Sequence, residues 1–500
     1  MVLEGLKPEN VWQIFENVLA ATPRCSKHED AIRRRIREWV EQQDVEVEVL
    51  EDDVGNLLIK VPAMEGMESV PPLMIQGHMD MVCESDTTEG FDFKNKPIPV
   101  RIQDNGEWVD ADGTTLGADN GIAIALALAL LKDEDETLRH GPLELLFTVD
   151  EETGLTGAFG LDTESLGLRS RHLLNVDSED IGIITIGSAG GGGVEYHRTA
   201  NLKEPEDDMV FFELEVSGLL GGHSGVDIHL HRANANKLIA RMLSALPDSA
   251  SPVVVSWSGG TKHNAITRES RAVFGIKENR VSMAKKTLKE ETDAIMAYYH
   301  NTSPNAEILE PGISIELGAA DPSAHFGRDE SQKIIMTGDV IPHGPQRFSP
   351  QVPDLVETSC NMAIVSTEGD EMKIYLSARG NVDAELESFR RSLKHLGELG
   401  GWTVNLEPAY PGWKPEPKSE FLAYVKRHYE GVLGDDVEVE AIHAGLECGI
   451  IGAQIEGMQM VSIGPTIKNP HTPGERVRIR DVSIIYDLLK AVMASMADLG

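Results

Sequence analysis

Cysteine is scarce in this chain of 500 residues: Cys25, Cys83, Cys360 and Cys448 are scattered, with no Cys-x-x-Cys pair. Such spacing argues against a disulfide framework and against a thiolate zinc site, and a reducing cytoplasm is the expectation. Positive charge is short as well. Lys and Arg number 45 against 82 Asp and Glu, a formal net charge of -37, which repels nucleic acid and anionic membrane surfaces. No run approaches the roughly 20 apolar residues that span a bilayer, and the apolar stretch Ala123 to Leu131 is far too short. Met1 to Asn10 lacks the basic start and apolar core of a secretory signal. Two familiar signatures are missing too. Val226 stands where a nucleophile elbow around Ser224 would need its last glycine, which disfavours a serine hydrolase. No Lys-Ser/Thr follows Gly190 to Gly193, so that run is expected as a hinge or tight crossing and not as a phosphate loop. There is no internal repeat and no low-complexity tract.

What is present points to a globular protein of two or more domains, since 500 residues exceed what one core usually covers. Hydrophobic residues make up 41% and charged residues 25%, the balance of a chain that buries ordinary cores. The central stretch is Thr114-Thr115-Leu116-Gly117-Ala118-Asp119-Asn120-Gly121-Ile122, which runs into the apolar helix expected from Ala123 to Leu131. Taken alone, Asp119 reads as an N-cap, because a carboxylate accepts bonds from the free amides of the first turn. The rest of the chain reverses that preference. Leu73 to Ile75 is a short buried strand, and two residues apart beyond it His78 and Asp80 leave an extended backbone on the same face. Asp80 is thereby placed to hold the far nitrogen of an imidazole whose near nitrogen binds a metal. Leu143 to Val149 delivers Asp150, Glu151 and Glu152; His172 to Val176 delivers Asp177. Ligands in open α/β sheets bind beyond the carboxyl ends of strands, and this repetition predicts a metal site. If two ions sit side by side, one carboxylate must be shared, and Asp119 is the candidate.

The motifs His78-Met79-Asp80, Thr115 to Gly121, Glu151-Glu152-Thr153-Gly154, Asn175 to Ser178, and Gly464-Pro465 with His471 resemble those of the co-catalytic M20 metallopeptidases, in particular their bacterial aminoacyl-histidine dipeptidase branch. Gly221 to Gly225, Ala233 to Leu238, Ala409 to Trp413 and Ile442 to Gly449 strengthen the likeness. The resemblance implies one divalent ion on His78, Asp177 and a bridging Asp119, and a second on Glu152, His471 and the same Asp119. Zinc is the expected metal, with cobalt or manganese as alternatives. Glu151 is implied as general base, Asp80 as the group orienting His78, and His223 as the oxyanion donor. Asn264, Arg379 and the amide of Gly445 are implied as substrate contacts. Glu447 is a further hypothesis, as a contact for the substrate's amino group. For Arg379 the chemistry is a planar fork that suits a carboxylate.

The expected fold class is α/β: residues 1–188 and 407–500 form a catalytic domain with a mixed central sheet flanked by helices, and residues 189–406 form an inserted α+β lid. The expected partners are small peptides, with no nucleic acid and no membrane, and with pairing into a homodimer left open. The expected reaction is hydrolysis of dipeptides with a free N-terminus, Xaa-His such as β-Ala-His included. An amidohydrolase acting on acylated amines and a non-catalytic metal-dependent binder are the alternatives. The intact Glu151 counts against the binder, which needs no acid outside the ligand set.

Overall fold

The apolar run beyond Asp119 folds as a helix, Ala118–Leu130, in which every residue is buried. A helix apolar on all sides is stable only with neighbours all round it, and it packs against the strand Leu73–His78 and the N-terminal helix Glu9–Ile14. The computed structural model describes residues 2–86, 90–133, 138–300 and 308–499. They form two units, each with its own hydrophobic core.

The first unit holds the residues up to Ser188, Trp413–Ala441, and those from Leu446 onward. Its eight-stranded sheet runs in the order Glu48–Glu51, Leu57–Val61, Leu143–Thr148, Leu73–His78, His172–Asn175, Gln459–Ser462, Ile183–Thr185, Glu438–Glu440. The strand Leu73–His78 lies parallel to both neighbours, with His78 opposite Thr148 and Gln76 opposite Asn175. That register brings the segments after all three strands to one edge of the sheet. Parallel strands covered on both faces read as unbroken apolar runs, which is why they are visible in the sequence. A small separate sheet pairs Ile467–Lys468 with Arg476–Arg478 and brackets the loop that carries His471.

The cysteine expectation needs correction: Cys25 and Cys83 form a disulfide, with Cα atoms 5.7 Å apart. Cys25 bridges in parallel to Met81, so the turn before the helix Asp30–Glu41 lies along the chain leaving Leu73–His78. Tertiary packing brings these thiols together, and sequence spacing carries no trace of it. Cys360 and Cys448 are free and buried.

The second unit, Ala189–Gly412 with Ile442–Gly445, is built on a nine-stranded antiparallel sheet. The helices Ala235–Ser244, Val281–Tyr299, Arg328–Val340 and Asp383–Leu399 belong to it. The glycine run opens a strand, Gly190–Thr199, between Glu371–Gly380 and Thr403–Leu406, and the tight crossing expected there is present: a Cβ on Gly190 would lie 2.5 Å from the Gly412 nitrogen and from the Tyr410 carbonyl oxygen. Its glycines admit close neighbours: a Cβ on Gly191 would lie 2.7 Å from the Tyr410 hydroxyl, and one on Gly192 2.6 Å from the Arg390 guanidinium. Backbone bonds between Gly191 and Tyr410 keep the chain with this unit as far as Gly412, beyond the expected boundary near residue 406. No helix among the described residues is long and apolar enough to cross a membrane.

Candidate functional site

At the sheet edge of the first unit, His78 ends its strand with Nδ1 3.2 Å from Asp80 Oδ1. Its Nε2 lies 3.1 Å from Asp119 Oδ1 and 3.5 Å from Asp177 Oδ1. The second oxygen of Asp119, Oδ2, lies 3.0 Å from His471 Nε2, which is 2.9 Å from Glu152 Oε2. One carboxylate thus offers an oxygen to each of two imidazoles. The donor atoms of His78, Asp119 and Asp177 lie within 4.8 Å of one another, as do those of Asp119, Glu152 and His471, and those of His78, Glu151 and Glu152.

Local structure explains why these side chains are free to converge. Asp119 caps nothing: the residue before its helix is Gly117, in the left-handed region at φ 69°, and no side chain of the helix itself makes the cap. Asp80 does two tasks. Besides holding His78, it accepts from the amides of Glu151 at 3.0 Å and Glu152 at 3.3 Å, which fixes the turn carrying both acids. Asp150 precedes that turn with φ 49°, its own amide donated to Glu29.

The cluster has more carboxylate than its imidazoles can neutralise. Burial opposes charge on His78, yet Asp177, Asp119 and Asp80 hold its pKa well above the ordinary value. Hydrogen bonds to Asp119 and Glu152 raise His471 to about 11. Asp119 is lowered despite its burial, because both imidazoles bond to it. Glu151, Glu152 and Asp177 are raised, chiefly by burial, and Glu179 beside them reaches about 8. Glu152 Oε1 is buried without a hydrogen-bond partner. Imidazole nitrogens and carboxylate oxygens with no thiolate suit zinc and other divalent ions of similar preference. The residues therefore fit a pair of metal ions.

The second unit contains a different polar cluster. His223 lies in the short strand Gly222–His223, opposite Ala265 and next to Asn264, whose carbonyl accepts from the Ser224 amide at 2.8 Å. The Nδ1 of His223 accepts from the amides of Gly225 at 3.3 Å and Val226 at 3.1 Å. The ring proton accordingly sits on Nε2, which is left as a donor. Burial, and then the charge of Arg379, lower its pKa to about 4, so the ring is neutral near pH 7. Arg379 is 6% exposed. It donates from one terminal nitrogen to Tyr410 Oη at 3.0 Å, while its Nε has no partner. Gly225 lies between the two: a Cβ there would be 3.1 Å from the His223 ring and 3.2 Å from Arg379 Nε. His443 fastens the segment Ile442–Gly445, its Nε2 2.7 Å from Ser359 Oγ and its Nδ1 3.1 Å from Asn381 Oδ1. A Cβ on Gly445 would rest 3.4 Å from the Tyr410 ring.

Residues 74–495 match peptidase family M20/M25/M40. The chain belongs to this family. It is 36% identical over 498 residues to the cytosol non-specific dipeptidase of Escherichia coli, an alignment covering 98% of this chain and 99% of that protein. The crystal structure of aminoacylhistidine dipeptidase from Vibrio alginolyticus superimposes with a TM-score of 0.87 at 36% identity, over 98% of this chain and 97% of that one. Aminopeptidase PepT from Bacillus cereus, 18% identical, shares the fold with a TM-score of 0.56, over 98% of this chain and 99% of its own. As an M20 peptidase the chain is a hydrolase of peptide bonds.

Among the site residues expected in this M20 chain, His78, Asp80, Asp119, Glu151, Glu152, Asp177 and His471 fall in the first unit's cluster. His223, Arg379 and Asn264 fall in the second unit, with Gly445. Glu447 differs from a contact open to substrate. It is 0% exposed, and its Oε2 accepts from Gln76 and Thr148 at 2.6 Å each, while Oε1 has no partner. Sequence reasoning missed Arg24, Glu29 and Glu475, which bond to the backbone of the ligand-bearing segments. The one available signal was the position of Glu475, four residues after His471.

Proposed function

We propose that this M20 peptidase hydrolyses dipeptides with a free N-terminus, Xaa-His among them, at a centre of two divalent ions. His78, Asp177 and Asp119 would hold one ion, and Glu152, His471 and Asp119 the other. The observation that carries the reading is the Asp119 carboxylate, with one oxygen turned to each imidazole. Zinc bound there, or cobalt or manganese in its place, supplies a Lewis acid that polarises the scissile carbonyl and lowers the pKa of water to about 7.

The chain's own groups then have separate tasks. Glu151, on the turn that Asp80 anchors, takes the proton of the attacking water and passes it to the departing amine. Burial raises its pKa in the metal-free chain. His223 is the oxyanion donor, because its neutral ring carries the proton on Nε2. Arg379 keeps an unpartnered Nε, and with the Gly445 amide it receives the substrate's carboxylate. Asn264 completes the substrate contacts. In this reading the first unit is catalytic and the second is the lid. The relative from Escherichia coli bears the name of a cytosolic enzyme, and we assign this chain to the same compartment. A thiol count on the denatured, unreduced protein tests the Cys25–Cys83 pair against that compartment: two free thiols are expected of purified protein, and four would remove the bond.

The deciding experiment is release of free amino acids from β-Ala-His, Gly-His, Leu-Gly and their N-acetylated forms, by metal-loaded wild type and Glu151→Ala. Cleavage of the free dipeptides, lost in the variant with both ions retained, is the expected result. Cleavage of the blocked substrates alone would overturn it in favour of an amidohydrolase. No cleavage by metal-loaded wild type would leave a binding protein.

A further inference from the structure

The helix Ala118–Leu130 has free amides at its start, and its own Asp119 does not take them. Glu475 does. Its carboxylate, 2% exposed, accepts from the amides of Leu116 and Gly117 at 2.8 Å each and of Asp119 at 3.1 Å. From the other side Arg24, 1% exposed, donates to the Gly117 carbonyl, and also to the carbonyls of Met79 at 3.3 Å and Asp80 at 3.2 Å. The loop before Asp119 is therefore held by an anion on its N–H groups and by a cation on a carbonyl.

Each of these side chains also belongs to, or reaches, a second ligand-bearing segment. Glu475 lies in the loop of His471, so its three bonds tie that loop to Asp119. Arg24 joins the exit of the His78 strand to the same Asp119 loop. The glycines of the motif fit this arrangement, since a Cβ on Gly117 or on Gly121 would run into the Arg24 guanidinium. The Cys25–Cys83 disulfide fixes the residue next to Arg24.

We propose that Arg24 and Glu475 are positioning residues that, from a shared hold on Gly117, set the two sides of the dinuclear centre: Arg24 chiefly the spacing of Asp119 from His78, Glu475 chiefly the spacing of Asp119 from His471. The inference rests on the ligand assignment made above. Neither residue touches an ion. Each acts by holding a backbone segment so that one oxygen of Asp119 faces its own imidazole.

The test is stepwise zinc binding to apo wild type, Arg24→Lys and Glu475→Gln, with the visible spectrum of the cobalt-loaded protein as a second readout. His471→Ala identifies which binding step belongs to which ion. Supporting groups around metal ligands typically govern affinity by roughly 10- to 100-fold. Glu475→Gln is expected to weaken by that factor the ion on the His471 side, and Arg24→Lys the ion on the His78 side, each with a changed cobalt spectrum. Two unweakened steps and an unchanged spectrum in both variants would overturn the proposal. So would equal weakening of both ions that merely follows a fall in the apo melting temperature, or failure of both variants to fold, because either marks a purely structural role. Should wild type bind fewer than two ions, the ligand assignment itself falls, a result separate from any behaviour of the variants.

Discussion

The two units surround the same side chain with opposite charge. In the first, His78 and His471 face Asp119, Asp177 and Glu152, and their pKa values are held up. In the second, burial comes first and Arg379 second in pushing His223 down to about 4 and His443 to about 3. An imidazole among carboxylates is held in a field that attracts cations. One that is buried beside a guanidinium stays neutral and keeps a fixed tautomer, as a hydrogen-bond donor to a developing anion must. Burial together with neighbouring charge decides which task a histidine can do.

The strongest way to break the comparison is within the first cluster. Glu151→Gln removes the group assigned to move protons and leaves every proposed ligand in place, so kcat should fall roughly 10²–10⁴-fold with metal content unchanged. A matching loss of metal would mean that Glu151 is a ligand. Removing metal tests the cation-seeking character directly. Chelation should leave the mutually repelling carboxylates unscreened and lower the stability of the first unit, by about 2.7 kcal/mol for each ion removed relative to protein with free metal at 100 times that ion's dissociation constant. Calorimetry with and without chelator reads it, and an unshifted transition would speak against metal binding there.

The second cluster is probed by Arg379→Ala. Losing a buried charged partner of a carboxylate should raise KM for dipeptides by roughly thirtyfold or more, about 2 kcal/mol, with a smaller change for dipeptide amides, which lack that charge. Equal effects on both substrates would remove Arg379 from carboxylate recognition. A further probe of this cluster is pH. His223, His343 and His443 all have lowered pKa values, of about 4, 4 and 3. Below the ordinary value of 6.5 the unfolded chain gains protons that the folded unit refuses. Stability should thus be constant from this source above pH 6.5 and fall as pH drops from 6.5 towards 4. The slope is about 1.4 kcal/mol per pH unit for a buried group such as His443. Denaturation midpoints against pH for wild type and His443→Gln check it, the variant giving the flatter curve.

Much of this architecture was legible in the sequence because buried parallel strands announce themselves as apolar runs and the chemistry sits where those runs stop. His78, Glu151, Glu152 and Asp177 are all found that way. Asp119 was ambiguous, since a carboxylate before a helix has an ordinary use as a cap. The structure resolves the local geometry: no side chain of its own caps that helix, the Asp119 oxygens turn to the two imidazoles, and Glu475 binds the amides of the turn before it. Arg24 and Glu475 were not legible, because side chains that bond backbone groups impose no residue pattern on their partners. The Cys25–Cys83 bond escaped for a related reason, the two residues meeting only through a turn packed along another segment. The glycine run reads as a hinge or tight crossing, and the backbone of Tyr410 to Gly412 does cross it at Gly190; what the run alone does not reveal is its strand pairing. It is a strand whose neighbours, Tyr410 and Arg390, leave no room for side chains.

One asymmetry has a kinetic consequence. The side chains of His78, Asp119, Asp177 and Glu152 are 10% exposed or less, whereas that of His471 is 50% exposed, in a loop with its own φ at 59°. Ligand exchange proceeds from the donor that water can reach first. On the proposed assignment, the ion that leans on His471 is expected to exchange with solution faster than its companion on His78, an order that isotopic zinc exchange would read.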